Sequence, residues 1–217
     1  MTDPALAARM RRGIDVVASG GALLVLSPAL AVIAILIKRD SPGPVIFRQV
    51  RVGLHGRHFT LLKFRSMATR SDLGVEITAQ GDSRVTTVGR RLRATKVDEL
   101  PQLVNVLRGD MSLVGPRPEV AKYVAMWPED QRRVILSVKP GLTDPVTLSL
   151  SNEESILAEH DDPEAFYRTV LLPAKAQGYV GYVQGRSLSG DACVLARTTV
   201  TLASLRAIKN RLPGRSR

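Results

Sequence analysis

The sequence predicts an α+β chain, mostly helical and held on one face of a membrane: a monotopic protein with an N-terminal re-entrant helix broken at Ser27-Pro28, a small β-hairpin and interfacial amphipathic helices. Three observations predict it. Val16 to Ile37 contains no charged residue, VVASGGALLVLSPALAVIAILI, about the length that spans a bilayer core as a helix. Basic residues flank both ends of that run, Arg11-Arg12 before it and Lys38-Arg39 after it. The chain as a whole carries 31 Lys and Arg against 20 Asp and Glu, a net charge of +11, and so should seek an anionic surface.

Within the apolar run, Pro28 removes a backbone donor and crowds the preceding turn, while the Ser27 hydroxyl can satisfy a freed carbonyl. Because both flanks are basic, the positive-inside rule asks both ends to face the cytoplasm, which a helix that enters and returns on one side would satisfy. Two alternatives stay open. A plain spanning helix with a proline kink would put the N-terminus outside. A secretory signal would use Arg11-Arg12 as its charged start and Ala29-Leu30-Ala31 as its small-residue site, although the apolar run continues past that site to Ile37. The expected division is residues 1–39 as the re-entrant membrane helix and 40–217 as a cytoplasmic-face catalytic domain.

Other classes find little support. The single Cys193 allows no disulfide within the chain and fits a reducing compartment. His55, His58 and His160 lack transition-metal spacing, and no Walker phosphate loop, dinucleotide fingerprint or internal repeat is visible. A non-enzymatic basic protein that binds nucleic acid or anionic lipid would use the charge. It would leave the apolar run unexplained in the first case and the paired carboxylates described below unexplained in the second. No nucleic acid is expected as a partner.

After the membrane segment, Val45–Val50 and His58–Phe64 read as two strands joined through Gly53-Leu54-His55-Gly56, a hairpin that carries Arg48, Arg51, Lys63 and Arg65. Thr69–Gln80 is polar and reads as a loop. From Glu119 to Val138 apolar and basic residues interleave around Pro128. These helices either lie in the membrane interface with Trp127 at headgroup depth or face a core. Lys139 to Pro145 is a turn signal, residues 152–160 and 163–178 look helical with Asp162-Pro163 as cap and first residue, and Asp191 to Leu212 reads as one more amphipathic helix.

The rest of the chain is organised around RATKVDELPQLVNVLRGDMSLVGPRP, residues 93–118. Asp98 precedes Pro101 by three places and an apolar run follows. Asp98 is therefore expected as the N-cap of a helix with Pro101 in its first turn and a stop at Arg108-Gly109, the helix dipole keeping its carboxylate ionised. Glu99 adjoins it. Arg84, Arg90, Arg91, Arg93 and Lys96 come before the pair, and Arg117 follows in a stiff Pro-Arg-Pro turn that suits bidentate recognition of phosphate.

A carboxylate among guanidinium groups at a membrane suits phosphate chemistry on a substrate that is partly lipid. An aspartate can attack phosphorus and split one transfer into two steps, with a hard cation such as Mg²⁺ to neutralise phosphate oxygens and arginines to stabilise the spreading charge. Adjacent carboxylates cannot flank a glycosidic bond, so a glycosidase is excluded. A hydrolase that removes phosphate from the same lipid remains open.

The stretches FRQVRVGLHGRHFTLLKFRSM, GDSRVTTVGRRLRATKVDELPQLVNVLRGDMSLVGPRP and VKPGLTDP resemble the bacterial sugar transferase family, the small monotopic phosphoglycosyl transferases, over essentially the whole chain. The resemblance implies transfer of a phosphosugar from a UDP-sugar to polyprenol phosphate, giving polyprenyl-diphosphate-sugar and UMP, as the first membrane step of bacterial glycan assembly at the inner membrane. It implies Asp98 as nucleophile and Mg²⁺ ligand, and Glu99 as the second carboxylate. Arg93 and Arg117 are then expected on phosphate or nucleotide, and Lys63 and Arg65 belong to a substrate-binding Lys-Phe-Arg motif. Ser27-Pro28 matches the family's membrane-helix break. The chain departs from many members at Asp144-Pro145 and at Asn152-Glu153-Glu154, which leaves the sugar open. The sequence does not fix the oligomeric state, and a homodimer is one open arrangement.

Overall fold

The computed structural model describes residues 4–68, 82–150 and 153–211. The expected loop Thr69–Gln80, Asn152 and the basic tail from Leu212 lie outside the described residues. The chain opens with α1 (Pro4–Asp40), followed by a hairpin of β1 (Ile46–Val52) and β2 (His58–Phe64) joined through a 3-10 turn at Leu54–Gly56. Then come α2 (Thr87–Ala94), a second 3-10 turn (Val97–Glu99), α3 (Gln102–Arg108) and β3 (Ser112–Val114). Next are α4 (Ala121–Val124), α5 (Glu129–Ile135), β4 (Gly141–Thr143), α6 (Pro145–Ser149) and α7 (Glu153–Ala158). Finally α8 (Pro163–Phe166) continues through a π turn (Tyr167–Leu171) into α9 (Leu172–Gln184), and α10 (Leu188–Arg211) ends the described chain. The mostly helical α+β class therefore holds.

Helix α1 is long and apolar enough to cross a membrane, with mean hydropathy 2.5, and only 6% of its apolar window is buried. A core helix of this composition would hide its side chains, yet Val17, Leu24 and Val25 are each at least 76% exposed. The expected break into two helices at Ser27-Pro28 is not observed, because one helical segment runs through Pro28. The reason is local. Pro28 cannot donate to the Leu24 carbonyl, and the Ser27 hydroxyl donates to it instead at 2.8 Å.

Both halves of α1 dock on the rest of the chain. In the first half Arg11 pairs with Asp191 of α10 at 2.7 Å, and Arg12 donates to the carbonyls of Val106 and Leu107 at the end of α3. Asp15 accepts from the Leu113 N–H at 2.9 Å. In the second half Ile37 packs with Phe64 and Leu92. Arg65 clamps this end: its Nη atoms donate to the carbonyls of Pro42, Ser41 and Ile37.

The hairpin register pairs Ile46 with Phe64 and Val52 with His58. His55 at φ 55° and Gly56 at φ 78° turn the chain between the strands. The helices around Pro128 are decided by burial. Trp127 is 4% exposed and packs with Tyr123, Ile135 and Tyr179 in the largest core, so it is a core residue and not an anchor at headgroup depth. Asp162 caps α8 by accepting from the Ala165 N–H, as its Asp-Pro signal predicts. The helical stretch then extends past residue 178 to Gln184.

The sequence reading missed β3 and β4, a parallel pair with Ser112 opposite Gly141 and Val114 opposite Thr143. Three-residue strands are too short to show a period, and the second lies inside the stretch read as a turn. They meet through two glycines. A β-carbon on Gly115 would lie 2.5 Å from the Lys139 carbonyl oxygen, and one on Gly141 would lie 2.1 Å from the Gly115 nitrogen. Gly115→Ala should therefore cost about 2 kcal/mol and shift the adjacent Pro116-Arg117-Pro118 turn. Thermal melting together with sugar-phosphate transfer would check this, and a variant with unchanged melting and rate would show that the close approach is dispensable.

Candidate active site

The two adjacent carboxylates lie in the 3-10 turn Val97–Glu99, one turn before α3. Lys96 enters it with φ 55°, a left-handed conformation that swings the chain round, and Pro101 stands at the head of α3. Asp98 therefore makes no capping bond to α3, which corrects the expectation of an N-cap. The end of α3 matches expectation, since Gly109 at φ 95° closes the helix after Arg108. Of the apolar face, Leu103 and Val106 are buried, whereas Leu107 is 38% exposed.

Glu99 gathers two of the expected cations. Arg117 donates to it at 2.5 and 3.4 Å, and Lys63 from β2 donates at 3.2 Å. Burial alone would raise the Glu99 carboxyl, but the charges of Arg117 and Lys63 outweigh it and hold the group well below the usual carboxylate range. The same carboxylate holds Arg117 well above its ordinary value. For Lys63, burial presses the ammonium down and Glu99 presses it back up.

Asp98 is different. It is 6% exposed, and its Oδ1 has no hydrogen-bond partner. Burial, then the Glu99 charge beside it, push its carboxyl above the usual range, while Lys63, Arg93 and Lys96 pull it down. Cationic side chains thus act against its protonation, in place of the helix dipole that the sequence suggested. A buried acceptor without a partner is costly unless a ligand completes it. Among the described residues no group of three His, Cys, Asp or Glu could cage a metal ion. The unpartnered Asp98 Oδ1 is a donor of the kind that Mg²⁺ takes together with substrate phosphates and water.

The structure divides the other expected residues. Arg93, on the last turn of α2, pairs with Glu154 of α7 at 2.6 Å, and its charge bears on Asp98. Arg84 is paired with Asp82. Arg65 is buried and its guanidinium donates to the carbonyls that follow α1, where it clamps the end of that helix.

Several residues that shape the site were not expected there from sequence. Glu119 is buried directly after the Pro-Arg-Pro turn. It accepts from the Tyr167 hydroxyl at 2.6 Å and from Arg51 at 3.1 Å, and its carbonyl accepts from the Val52 N–H. Arg51 also donates to the Pro118 carbonyl, so the turn that carries Arg117 is held from both sides. Asp144 is 1% exposed and caps α6 through the Thr147 N–H, with the Arg117 charge acting on it. An acidic residue directly after the Gly-Pro-Arg-Pro stretch is the sequence cue for Glu119. Glu154 was visible only as a departure from the family pattern.

Asp98 is thus a buried, incompletely satisfied carboxylate set beside paired cations. Residues 6–204 match the family described as bacterial sugar transferase, and the chain belongs to that family. Its relatives are transferases. It is 41% identical over 197 residues to the UDP-glucose:undecaprenyl-phosphate glucose-1-phosphate transferase of Caulobacter vibrioides, covering 88% of this chain and 69% of that protein. It is 49% identical over 116 residues to the UDP-N-acetylgalactosamine-undecaprenyl-phosphate N-acetylgalactosaminephosphotransferase of Aeromonas hydrophila, covering 53% of this chain and 27% of that protein. With the UDP-glucose:undecaprenyl-phosphate glucose-1-phosphate transferase of Escherichia coli K12 it shares 45% identity over 137 residues, covering 62% and 30%. The chain thus spans about a third or less of two of these relatives.

Proposed function

We propose that this protein transfers a phosphosugar from a UDP-sugar to polyprenol phosphate, at the cytoplasmic face of the bacterial inner membrane, through a covalent intermediate on Asp98. Asp98 Oδ1 carries the reading: it is a buried carboxylate oxygen with no partner, beside the Lys63–Glu99–Arg117 set. A carboxylate oxygen attacks the sugar-bearing phosphorus, the bond from that phosphorus to the bridging oxygen of UMP breaks, and UMP leaves. An oxygen of polyprenol phosphate then attacks the same phosphorus, the acyl-phosphate bond breaks, and the carboxylate is restored. Asp98 would hold Mg²⁺, which when bound neutralises phosphate charge so that an anionic nucleophile can approach. Arg117, Lys63 and Arg93 supply fixed positive charge to the phosphate oxygens, and Glu99 keeps two of these cations in place.

The re-entrant topology is part of the same reading. A helix that crossed a bilayer would carry its ends to opposite sides. The contacts of Arg11, Arg12 and Asp15 near one end of α1, and of Ile37 near the other, lie on the same folded unit and support both ends of α1 sitting on one side of the membrane.

The test is to mix membrane-embedded protein with Mg²⁺ and a panel of UDP-sugars and to analyse it by intact and peptide mass spectrometry. One UDP-sugar should release UMP and leave one phosphosugar on the peptide containing Asp98, and addition of polyprenol phosphate should remove it. UMP release at the full rate without such an adduct would refute the covalent reading, and free phosphate as product would favour a hydrolase.

A further inference from the structure

We infer that Glu154 is an internal competitor for the donor's phosphates, holding Arg93 until the UDP-sugar displaces it. This inference rests on the phosphosugar-transfer reading. Three of the cations around the carboxylate pair are each paired with a carboxylate: Lys63 and Arg117 with Glu99, and Arg93 with Glu154. For a phosphate to gain full contact with any of them, a carboxylate has to let go.

Solvation decides which one can. The Glu99 side chain is 12% exposed and is shared between two cations, so its release would strand a buried anion. The Glu154 side chain is 42% exposed and can be rehydrated as it leaves Arg93. Its partner is only 20% exposed and stays at the site edge, with its charge directed at Asp98. Glu154 also comes from a separate element. Helix α7 is also fastened by the neighbouring Glu153, which Lys175 of α9 holds at 3.1 Å, so loss of the Arg93 contact loosens α7 without releasing it. A phosphate group carries more charge than one carboxylate and can take two guanidinium N–H groups where Glu154 accepts from one, so it can win this exchange.

The experiment measures UDP binding by calorimetry to the full chain in detergent micelles with Mg²⁺, comparing wild type with Glu154→Gln and Glu154→Ala. A partly exposed ion pair of this kind is weak, so removing the competitor should tighten UDP binding about two- to fivefold. Glu159→Gln, a control just beyond α7, should leave it unchanged. Hydrogen exchange adds a readout on the wild type: UDP should speed exchange in α7. Equal or weaker UDP binding in both Glu154 variants, or α7 exchange unaffected by UDP, would overturn the inference and leave the transfer reading standing. If no form of the protein binds UDP, the transfer reading itself fails.

Discussion

Asp98→Asn is expected to abolish UMP release and covalent labelling while making the folded protein more stable. In the fold, burial and the neighbouring Glu99 disfavour the charged form of Asp98, and Oδ1 has no partner. Removing that charge should recover about 1 kcal/mol, which for a chain of this size raises the melting temperature by about 2–4 °C. The sign of the pH dependence follows. The folded Asp98 carboxyl sits above its unfolded value, so its proton stabilises the fold at low pH and that contribution is lost as pH rises through the folded value. Turnover runs the other way, rising with pH across the same window as the nucleophile ionises. Melting temperature and UMP release, each followed from about pH 4 to 8, should therefore show opposed trends in wild type, and the stability trend should flatten in Asp98→Asn. A variant that melts lower than wild type throughout would mean that the carboxylate is a structural partner.

Glu99→Ala should do the reverse to stability and the same to activity. It leaves Arg117 and Lys63 facing each other in a partly buried site without their shared anion, and breaking such a cluster costs about 2–3 kcal/mol. Loss of about 5–10 °C in melting temperature is expected near neutral pH. Because the Glu99 carboxyl is held below its unfolded value, its stabilisation is present above the ordinary glutamate range and fades as pH falls through the folded value. The difference between wild type and Glu99→Ala should therefore shrink in acid. A melting temperature equal to that of wild type at pH 7 would show that the Glu99 cluster is not what holds Arg117 and Lys63.

These two neighbours differ through contacts that local sequence does not encode. Arg117 and Lys63 lie 18 and 36 residues from Glu99, and nothing in an Asp-Glu dipeptide says which member will collect them. Sequence spacing placed the pair at a helix start and inferred that the dipole would keep Asp98 ionised. In the fold, the left-handed Lys96 and the 3-10 turn take Asp98 out of capping position and into the interior. The same limit explains Arg65, whose place in a basic motif suggested phosphate, and whose actual partners are carbonyls 23 to 28 residues back. Conversely, the hairpin, the Gly109 stop, the Asp162 cap and the Ser27 bond to Leu24 were legible, because each depends on residues within a turn or a strand pair of one another.

The amino-acid sequence by itself determined the apolar N-terminal helix, the mostly helical α+β class and the family, since hydropathy, capping chemistry and motif spacing are local properties of the chain. Only the tertiary structure decided which carboxylate is buried without a partner, which is neutralised, and that Glu154 holds Arg93. Burial and charge pairing are set by what the fold brings within a few ångströms, and those neighbours come from turns and helices far apart along the chain.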